Sequence, residues 1–285
     1  MTTSVQLSNG RLMPQIGFGV YLMSDVAVCE ASVKAALQEG YRLIDTAILY
    51  RNERAVGRAI RASGVPRDEI LLTTKIWPND YRYDKARAAI AGCLERLDAG
   101  SIDLMLLHQP VGDVRGAWKA LEEAVDEGTI RAIGVSNFTA EDLEKLLGYA
   151  RIAPVVNQVE LHPYWQQPDL LPTLEKHGIA AEAWYPLGHG SKSLLAEPAI
   201  IAAAAAHGKS AVQVILRWHV QRGFVAIPKS TNPAHIKANL EVFDFELSDA
   251  EMDGIGALGK SHPMFRMPRW AKAAVMPLMR PRALD

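Results

Sequence analysis

Short apolar runs rich in β-branched residues alternate along the chain with longer segments whose apolar positions recur at helical spacing. The short runs predict eight strands, at residues 17–20, 42–45, 70–75, 102–108, 132–135, 155–159, 179–184 and 225–228. The longer segments predict helices at residues 26–39, 53–62, 84–97, 114–127, 140–149, 168–176, 198–207 and 211–222. Asp25 and Gly40 suit the two ends of the first helix, and Gly178 suits the end of the helix that finishes near His177.

This alternation of strand and helix predicts a parallel sheet, because parallel neighbours need a crossover connection. At 285 residues, a closed (β/α)8 TIM barrel of the α/β class is the economical arrangement. A doubly wound open sheet is the alternative, but Gly17, Gly19 and Tyr21 do not make the GxGxxG motif that would favour it. Asn9-Gly10 predicts an N-terminal β-hairpin, which we expect to close the bottom of the barrel.

We expect residues 1–285 to form a single barrel domain. The segment from about residue 260 to residue 285 is apolar, but Pro268, Pro277 and Pro281 interrupt it. Because prolines break a long amphipathic helix, the sequence favours a tail or loop near the barrel mouth. The alternative is a segment that lies on a membrane surface.

Composition narrows the classes of partner. The chain is 49% apolar and 22% charged, with a net charge of -1 and a pI of about 6.7, so it has no cationic excess for nucleic acid or an anionic membrane. The N-terminus lacks a signal-peptide pattern and no apolar run could span a bilayer, so we expect a cytoplasmic protein. Cys29 and Cys93 lie in predicted helices without CxxC or Cys/His spacing, which predicts buried thiols and no metal site.

Reactive side chains occur at the predicted carboxyl ends of the strands, which meet at one mouth of a barrel. Asp45, Lys75 and His108 end the second, third and fourth strands, and Tyr50 follows Asp45. The later strands end in Ser136-Asn137, Asn157-Gln158, Trp184 and Lys229-Ser230. Each of the first four also has a structural explanation: a turn cap, a surface lysine with a buried stem, a core histidine and a surface tyrosine.

Considered together, these four residues form an acid catalyst. A phenol has a pKa of about 10, and a nearby ammonium lowers that pKa. Lys75 facing Tyr50 supplies the ammonium, and Asp45 supplies the carboxylate that a desolvated lysine needs. Neutral His108 can donate a hydrogen bond to a substrate oxygen. This set suits protonation of an alkoxide while a cofactor delivers hydride to the carbonyl carbon, since no residue is an obvious nucleophile.

Seven sequence blocks then identify a family. In chain order they are IDTAILYRNERAVGRAI, LLTTKIW, IDLMLLHQP, GTIRAIGVSNF, NQVELHPY, AWYPLG and IPKSTNP. With these blocks the chain resembles the aldo-keto reductases, from the VQLSNGRLMPQIGFGVY opening to about residue 263, and particularly their bacterial 2,5-diketo-gluconate reductase-like branch. The resemblance implies that Tyr50 is the general acid in reduction, that Lys75 and Asp45 tune its acidity, and that His108 orients the carbonyl.

The resemblance also implies cofactor contacts. The matching positions are Ser136, Asn137 and Gln158 for the nicotinamide carboxamide, Trp184 for stacking on the nicotinamide ring, Leu187 and Gly188 for the loop over the pyrophosphate, and Lys229 and Ser230 for the 2′-phosphate. Two positions depart from the family, because His235 stands where Arg is frequent and Ala238 replaces a Glu before the adenine-facing Asn239. Histidine lacks the charge and the fork of arginine, so NADPH is the expected cofactor, held more weakly, and NADH is the alternative.

The substrate pocket is outlined by three residues. Tyr21 and Trp77 match aromatic wall positions, whereas Gln109 stands where many relatives have Trp. This predicts a pocket more open and more polar than one built for steroids. The implied activity is reduction of aldehydes, α-dicarbonyls or keto-sugars by a monomer without a partner protein. The alternatives are a nicotinamide-binding sensor or structural protein, and a barrel of unrelated chemistry such as a phosphate-binding isomerase or lyase.

Overall fold

A short hairpin opens the chain in the computed structural model, which describes residues 3–260, 262–265, 267–268, 271, 274–276 and 279. Strand β1 (Ser4–Gln6) pairs antiparallel with β2 (Leu12–Pro14) across a turn at Gly10, which has a positive φ of 83°. Leu7 and Met13 of this hairpin belong to the apolar cluster that fills the lower barrel interior. The hairpin therefore closes the bottom of the barrel, as the sequence predicts.

Eight parallel strands form the central sheet, and neighbours in the sheet follow the order of the chain. They are β3 (Phe18–Gly19), β4 (Leu43–Asp45), β5 (Leu71–Ile76), β6 (Leu104–Leu107), β7 (Ile133–Ser136), β8 (Val156–Glu160), β9 (Ala180–Trp184) and β10 (Val225–Ala226). Ile16 forms a parallel bridge with Ala226, and the Gly17 N–H donates to the Ala226 carbonyl oxygen at 2.9 Å. These contacts join the first strand to the last, so the predicted (β/α)8 barrel is confirmed.

Helices surround the barrel. Within the described residues they are α1 (Val26–Glu39), α2 (Glu53–Ala62), α3 (Tyr83–Leu97), α4 (Val114–Asp126), α5 (Ala140–Leu147), α6 (Leu171–Lys176), α7 (Lys192–Leu195), α8 (Pro198–His207), α9 (Ala211–Gln221), α10 (Pro233–Ala238) and α11 (Asp249–Gly256). The predicted caps of α1 are confirmed, because the Asp25 carboxylate accepts from the Val28 N–H at 2.9 Å and Gly40 is left-handed. Gly178, just after α6, is also left-handed.

The barrel interior and the shell beneath the helices are separate apolar clusters. Inside the barrel, Leu43, Leu106 and Val156 pack with neighbouring strand residues. Gly17 lies against this interior, and a Cβ at its position would come within 2.6 Å of the Leu43 side chain, so only glycine fits there. Cys29 and Cys93 are free thiols buried in the outer cluster, which confirms that they act as small apolar side chains.

Element boundaries differ from the sequence prediction at a few places. Strand β10 ends at Ala226 and not at Pro228, because proline has no N–H for the ladder. Helix α6 begins at Leu171 and not at residue 168, because Gln167 is left-handed and a separate turn precedes the helix. The sequence analysis missed α7, α10 and α11, although two carry start signals: Asn232-Pro233 for α10 and the Ser248–Glu251 capping box for α11.

The length and hydropathy of the helices in the described chain decide whether any of them could span a bilayer. No single one is long and apolar enough to cross a membrane, and the pair α8 and α9 passes on length and composition only when joined across a 94° bend.

Candidate active site

A buried ion pair lies at the carboxyl ends of β4 and β5. The Lys75 ammonium donates to the two carboxylate oxygens of Asp45 at 2.6 and 2.7 Å, and to the Thr46 carbonyl at 2.9 Å. Lys75 is fully buried and Asp45 is 1% exposed. A desolvated ammonium needs such partners, so Lys75 is not a surface lysine and Asp45 is not simply a turn cap.

Tyr50 lies directly above this pair. It ends the 3₁₀ turn Ile48–Tyr50 that follows β4, and its hydroxyl is 3.4 Å from the Lys75 nitrogen. The ring packs 4.9 Å from the ring of Tyr21 and 5.9 Å from that of His108, measured between centroids. The turn therefore places the phenol next to the ion pair at the strand ends.

The sequence-based expectation that Lys75 lowers the pKa of Tyr50 stays a prediction, and burial of the phenol acts against it. Burial raises the pKa of the Tyr50 phenol well above its usual value of 10, and the negative charge of Asp45 adds to the rise. Tyr50 is consequently a fully protonated phenol at neutral pH, which is the form that donates a proton.

His108 follows β6 and faces Tyr50 from the other side. Burial, and next the positive charge of Lys75, lower its pKa well below 6.5, so the imidazole is neutral at pH 7. Its ring packs edge-on against Trp77 with centroids 5.0 Å apart. Its Nδ1 is buried without a hydrogen-bond partner among the described residues. The rings of Tyr50 and Trp77 thus fix the plane of a neutral imidazole.

A cavity of about 630 Å³ opens above these groups. The predicted site residues that line it are Tyr21, Asp45, Tyr50, Trp77, His108, Gln109, Ser136, Asn137, Gln158, Trp184, Leu187 and Lys229. Lys75 lies beneath the floor of the cavity, while Gly188, Ser230, His235 and Asn239 lie outside its lining. One cavity therefore brings together the acid–base set and most of the positions assigned to the nicotinamide end of a cofactor.

The amide side chains on the cavity floor are held by neighbours. Trp184 donates from Nε1 to the Asn137 side-chain oxygen at 2.9 Å, and the Asn137 amide nitrogen donates to the His108 carbonyl at 3.1 Å. Gln158 donates from Nε2 to Asp45 at 2.8 Å. Asn137 is also left-handed, with φ of 63°, a conformation that asparagine tolerates better than most residues. Hydrogen bonds among these side chains therefore organise the floor.

The residues assigned to the 2′-phosphate lie at and beyond one rim. Lys229 is exposed and lines the cavity, whereas Ser230 lies in the next turn, where its hydroxyl accepts from the Asn232 N–H at 3.1 Å. His235 is exposed on α10, and Asn239 follows that helix and is 5% exposed. Of the described residues assigned to the 2′-phosphate, Lys229 therefore places a cationic side chain at the rim, and His235 lies on the helix that follows.

Sequence reasoning missed several side chains that the C-terminal segment adds to the cavity. Phe265, Met267, Met276 and Met279 all line it, and Trp77 donates from Nε1 to the Met276 carbonyl at 3.0 Å. The methionine-rich pattern of residues 264–279 was the available signal. These side chains add an apolar edge to the mouth, and the expectation of a pocket more polar than one built for steroids stays a prediction.

A carboxylate holds the start of this segment. Glu160, at the end of β8 and 4% exposed, accepts from the Met264 N–H at 2.6 Å and from the Phe265 N–H at 3.3 Å. Phe265 then packs 5.7 Å from Trp184 and 5.1 Å from Tyr185, between ring centroids. The segment and the strand ends therefore share one aromatic wall.

The side chains along the cavity match the chemical groups of a nicotinamide dinucleotide. A half-buried indole, fixed side-chain amides and an exposed lysine occur along one cavity, and these suit a flat aromatic amide at one end and an anion at the other. The residues present therefore fit the cofactor. Among the described residues, no three His, Cys, Asp or Glu side chains are grouped for a metal ion.

Such a barrel, with a lysine–carboxylate pair and a phenol at the carboxyl-end mouth, defines a class of enzyme that performs acid–base chemistry beside a bound ligand. The chain belongs to the aldo/keto reductase family, whose model matches residues 16–260, and it is therefore an oxidoreductase. The assignment to the 2,5-diketo-gluconate reductase-like branch stays a prediction.

Characterised relatives are similar over most of their length. Morphine 6-dehydrogenase of Pseudomonas putida is 47% identical over 87% of this chain and 88% of its own. Glyoxal reductase of Bacillus subtilis is 46% identical over 90% of this chain and 93% of its own.

Solved structures agree with this membership. An aldo/keto reductase of Brucella melitensis is 42% identical with a TM-score of 0.86, over 90% of this chain and 100% of its own. An aldo-keto reductase of Bombyx mori, crystallised in complex with NADP, is 31% identical with a TM-score of 0.89, over 95% of this chain and 97% of its own.

Proposed function

We propose that the protein reduces aldehydes, α-dicarbonyls or keto-sugars to alcohols with NADPH, and that Tyr50 is the proton donor. The observation that carries this proposal is the stacked arrangement of Asp45, Lys75 and Tyr50 beneath a cavity, with a neutral His108 beside the phenol. A monomeric state, a single domain and a cytoplasmic location remain predictions from the sequence.

The proton transfer follows from this arrangement. A protonated Tyr50 donates its hydroxyl proton to the oxygen of the substrate as that oxygen gains negative charge. The resulting phenolate is stabilised by the Lys75 ammonium 3.4 Å away, which Asp45 keeps in place. In alcohol oxidation the same phenolate accepts the proton.

His108 and the cavity floor position the reactants. The neutral imidazole carries one N–H, which donates to the carbonyl oxygen and polarises it. Ser136, Asn137 and Gln158 would hold the carboxamide of a nicotinamide, and Trp184 would support its ring. A bound reduced nicotinamide supplies the hydride. Exclusion of water by the apolar mouth strengthens both hydrogen bonds to the substrate oxygen.

The exposed Lys229 supports the preference for NADPH, since a 2′-phosphate needs a cation. The remaining proposed contacts to the dinucleotide are made by Ser230, Leu187, Gly188, His235 and Asn239. On the substrate side, Tyr21, Trp77 and Gln109 form the wall, and the methionines of the tail add an apolar edge. This edge supports carbonyl compounds that carry an apolar or aromatic substituent beside the polar reacting group.

The test measures loss of NADPH absorbance with a panel of aliphatic and aromatic aldehydes, α-dicarbonyls and keto-sugars. Tyr50→Phe is expected to lower turnover by about 100-fold or more, because general acid catalysis contributes on that scale. The affinity for NADPH should stay within about twofold, since the phenol acts in the chemistry and not in cofactor binding.

Tyr149→Phe is the matched control, because Tyr149 packs beside Arg115 and does not line the cavity. Near-normal turnover by Tyr50→Phe would overturn the mechanism. Tight NADPH binding by the unmodified protein without turnover of any carbonyl would favour the sensor, and failure to bind the dinucleotide would favour unrelated chemistry.

A further inference from the structure

Glu182 is a buried carboxyl group that the proposed reaction does not use. It lies in the middle of β9 and is 0% exposed. Both of its carboxyl oxygens are buried without a hydrogen-bond partner within the part of the chain that the structure describes. A buried carboxylate without partners is costly, so its presence inside the barrel requires an explanation.

The sheet register connects Glu182 to the acid–base set. Glu182 pairs with Gln158 on β8 and with the apolar Val225 on β10. Paired residues of adjacent parallel strands point to the same face of the sheet, and Gln158 points to the interior because it bonds Asp45. Glu182 is therefore separated from the Asp45–Lys75 pair by one amide side chain.

The charges around Glu182 favour its neutral form. Asp45 faces it from β4, Lys75 from β5, and the Tyr50 phenol from the turn above. Asp45 and Lys75 already cancel each other, so an ionised Glu182 would leave one net negative charge in the closed interior. Burial, followed by the negative charge of Asp45, raises the pKa of Glu182 to about 8, while the nearby Gln158 amide and the Lys75 ammonium act in the opposite direction. This environment therefore favours the neutral carboxylic acid over the carboxylate.

A neutral carboxyl has one O–H to donate, and Gln158 has an acceptor for it. The Gln158 amide nitrogen is engaged with Asp45 at 2.8 Å, which leaves the amide oxygen with two lone pairs. One can accept from Glu182 and the other from a nicotinamide carboxamide. An ionised Glu182 cannot donate and instead attracts the amide N–H group away from Asp45.

We propose that Glu182 is a positioning residue whose carboxyl group fixes the Gln158 amide on Asp45 and so keeps the proton-donating set aligned. This inference rests on the proposed carbonyl reduction. Loss of the Glu182 proton releases Gln158 from Asp45 and adds a negative charge near Tyr50. Alkaline pH therefore slows the chemical step while the cofactor remains bound.

The test compares the pH dependence of single-turnover NADPH oxidation in the unmodified protein, Glu182→Gln and Glu182→Leu. Glutamine stays neutral and keeps a donor for Gln158. The unmodified protein is expected to lose rate about tenfold between pH 7 and pH 9, whereas Glu182→Gln should lose less than about twofold. Glu182→Leu, which lacks a donor, should be slow by about tenfold at all pH values.

Glu122→Gln is the matched control, because Glu122 is also a buried carboxylate but accepts from the Arg151 and Ile152 N–H groups away from the cavity. It should keep the alkaline loss of rate. An alkaline loss that persists unchanged in Glu182→Gln would overturn the inference. If no carbonyl in the panel is reduced at pH 6.5, the proposed function fails instead.

A second measurement follows the protonation of Glu182 directly and does not depend on turnover. Infrared difference spectra of the unmodified protein between pH 6 and pH 10 should show loss of a carboxylic-acid C=O band. The band should be absent from spectra of Glu182→Gln and retained in Glu122→Gln. If the unmodified protein shows no such band at pH 7, Glu182 is ionised there and the inference is wrong.

Discussion

At the residue scale, burial of the Asp45–Lys75 pair fixes the geometry of the site. It also makes the stability of the fold depend on both charges being present. The two side chains are essentially inaccessible to water and are held by several short hydrogen bonds. The sequence predicts which residues pair, because strand ends meet at one mouth. It does not predict how strongly burial acts on the pKa of Tyr50, which depends on how far the surrounding side chains exclude water.

Removing one partner of this pair should show how much the burial of an unpaired charge lowers the free energy of unfolding. Lys75→Met leaves the Asp45 carboxylate buried and without its cation, so we expect a loss of about 3–5 kcal/mol in the free energy of unfolding. The double variant Asp45→Asn/Lys75→Met removes both charges and should recover a large part of that loss. Urea denaturation at pH 7 measures both values. Equal losses in the single and double variants would contradict a burial cost due to the unpaired charge.

At the scale of elements, strand ends were easier to predict than helix α10, which carries proposed contacts to the cofactor. The eight strands are evident because buried β-branched runs recur between helical segments. Helix α10 is only six residues long and has little periodicity, so its start at Asn232-Pro233 was the available signal. The Met276 contact with Trp77 is a different case, because it joins positions 199 residues apart and has no local signature.

His235 on helix α10 allows a test of the preference for NADPH over NADH. His235→Arg supplies a permanent charge and a fork of donors beside Lys229, so NADPH should bind about tenfold more tightly while NADH changes less than twofold. Quenching of protein fluorescence on titration gives both dissociation constants. Lys237→Arg on the same exposed helix is the control and should alter neither. Equal tightening for both cofactors would remove His235 from the 2′-phosphate site.

At the scale of the whole molecule, buried titratable groups set the pH range of stability. Glu182 has its pKa raised from 4.5 to about 8, so between these values the folded protein binds one more proton than the unfolded chain. Stability therefore falls as pH rises through this window. Burial lowers the pKa of His219 from 6.5 to about 4, so its contribution is lost in the opposite sense, as pH falls below 6.5.

The comparison of unfolding at pH 6 and pH 8 isolates the effect of Glu182. Between these values the unmodified protein should lose on the order of 2 kcal/mol more stability than Glu182→Gln, at 1.36 kcal/mol for each pKa unit. Guanidinium denaturation at the two pH values measures this difference. Parallel changes in the two proteins would show that Glu182 does not change its protonation state on folding.

The two ends of the barrel also have different uses in practice. The hairpin β1–β2 closes the bottom, whereas Met276 and Met279, near the other terminus, edge the mouth. An affinity tag or surface linker attached at the N-terminus therefore leaves the mouth facing solution. A linker attached at Met279 would instead hold the mouth towards the support, so an immobilised biocatalyst should be anchored at the hairpin end of the barrel.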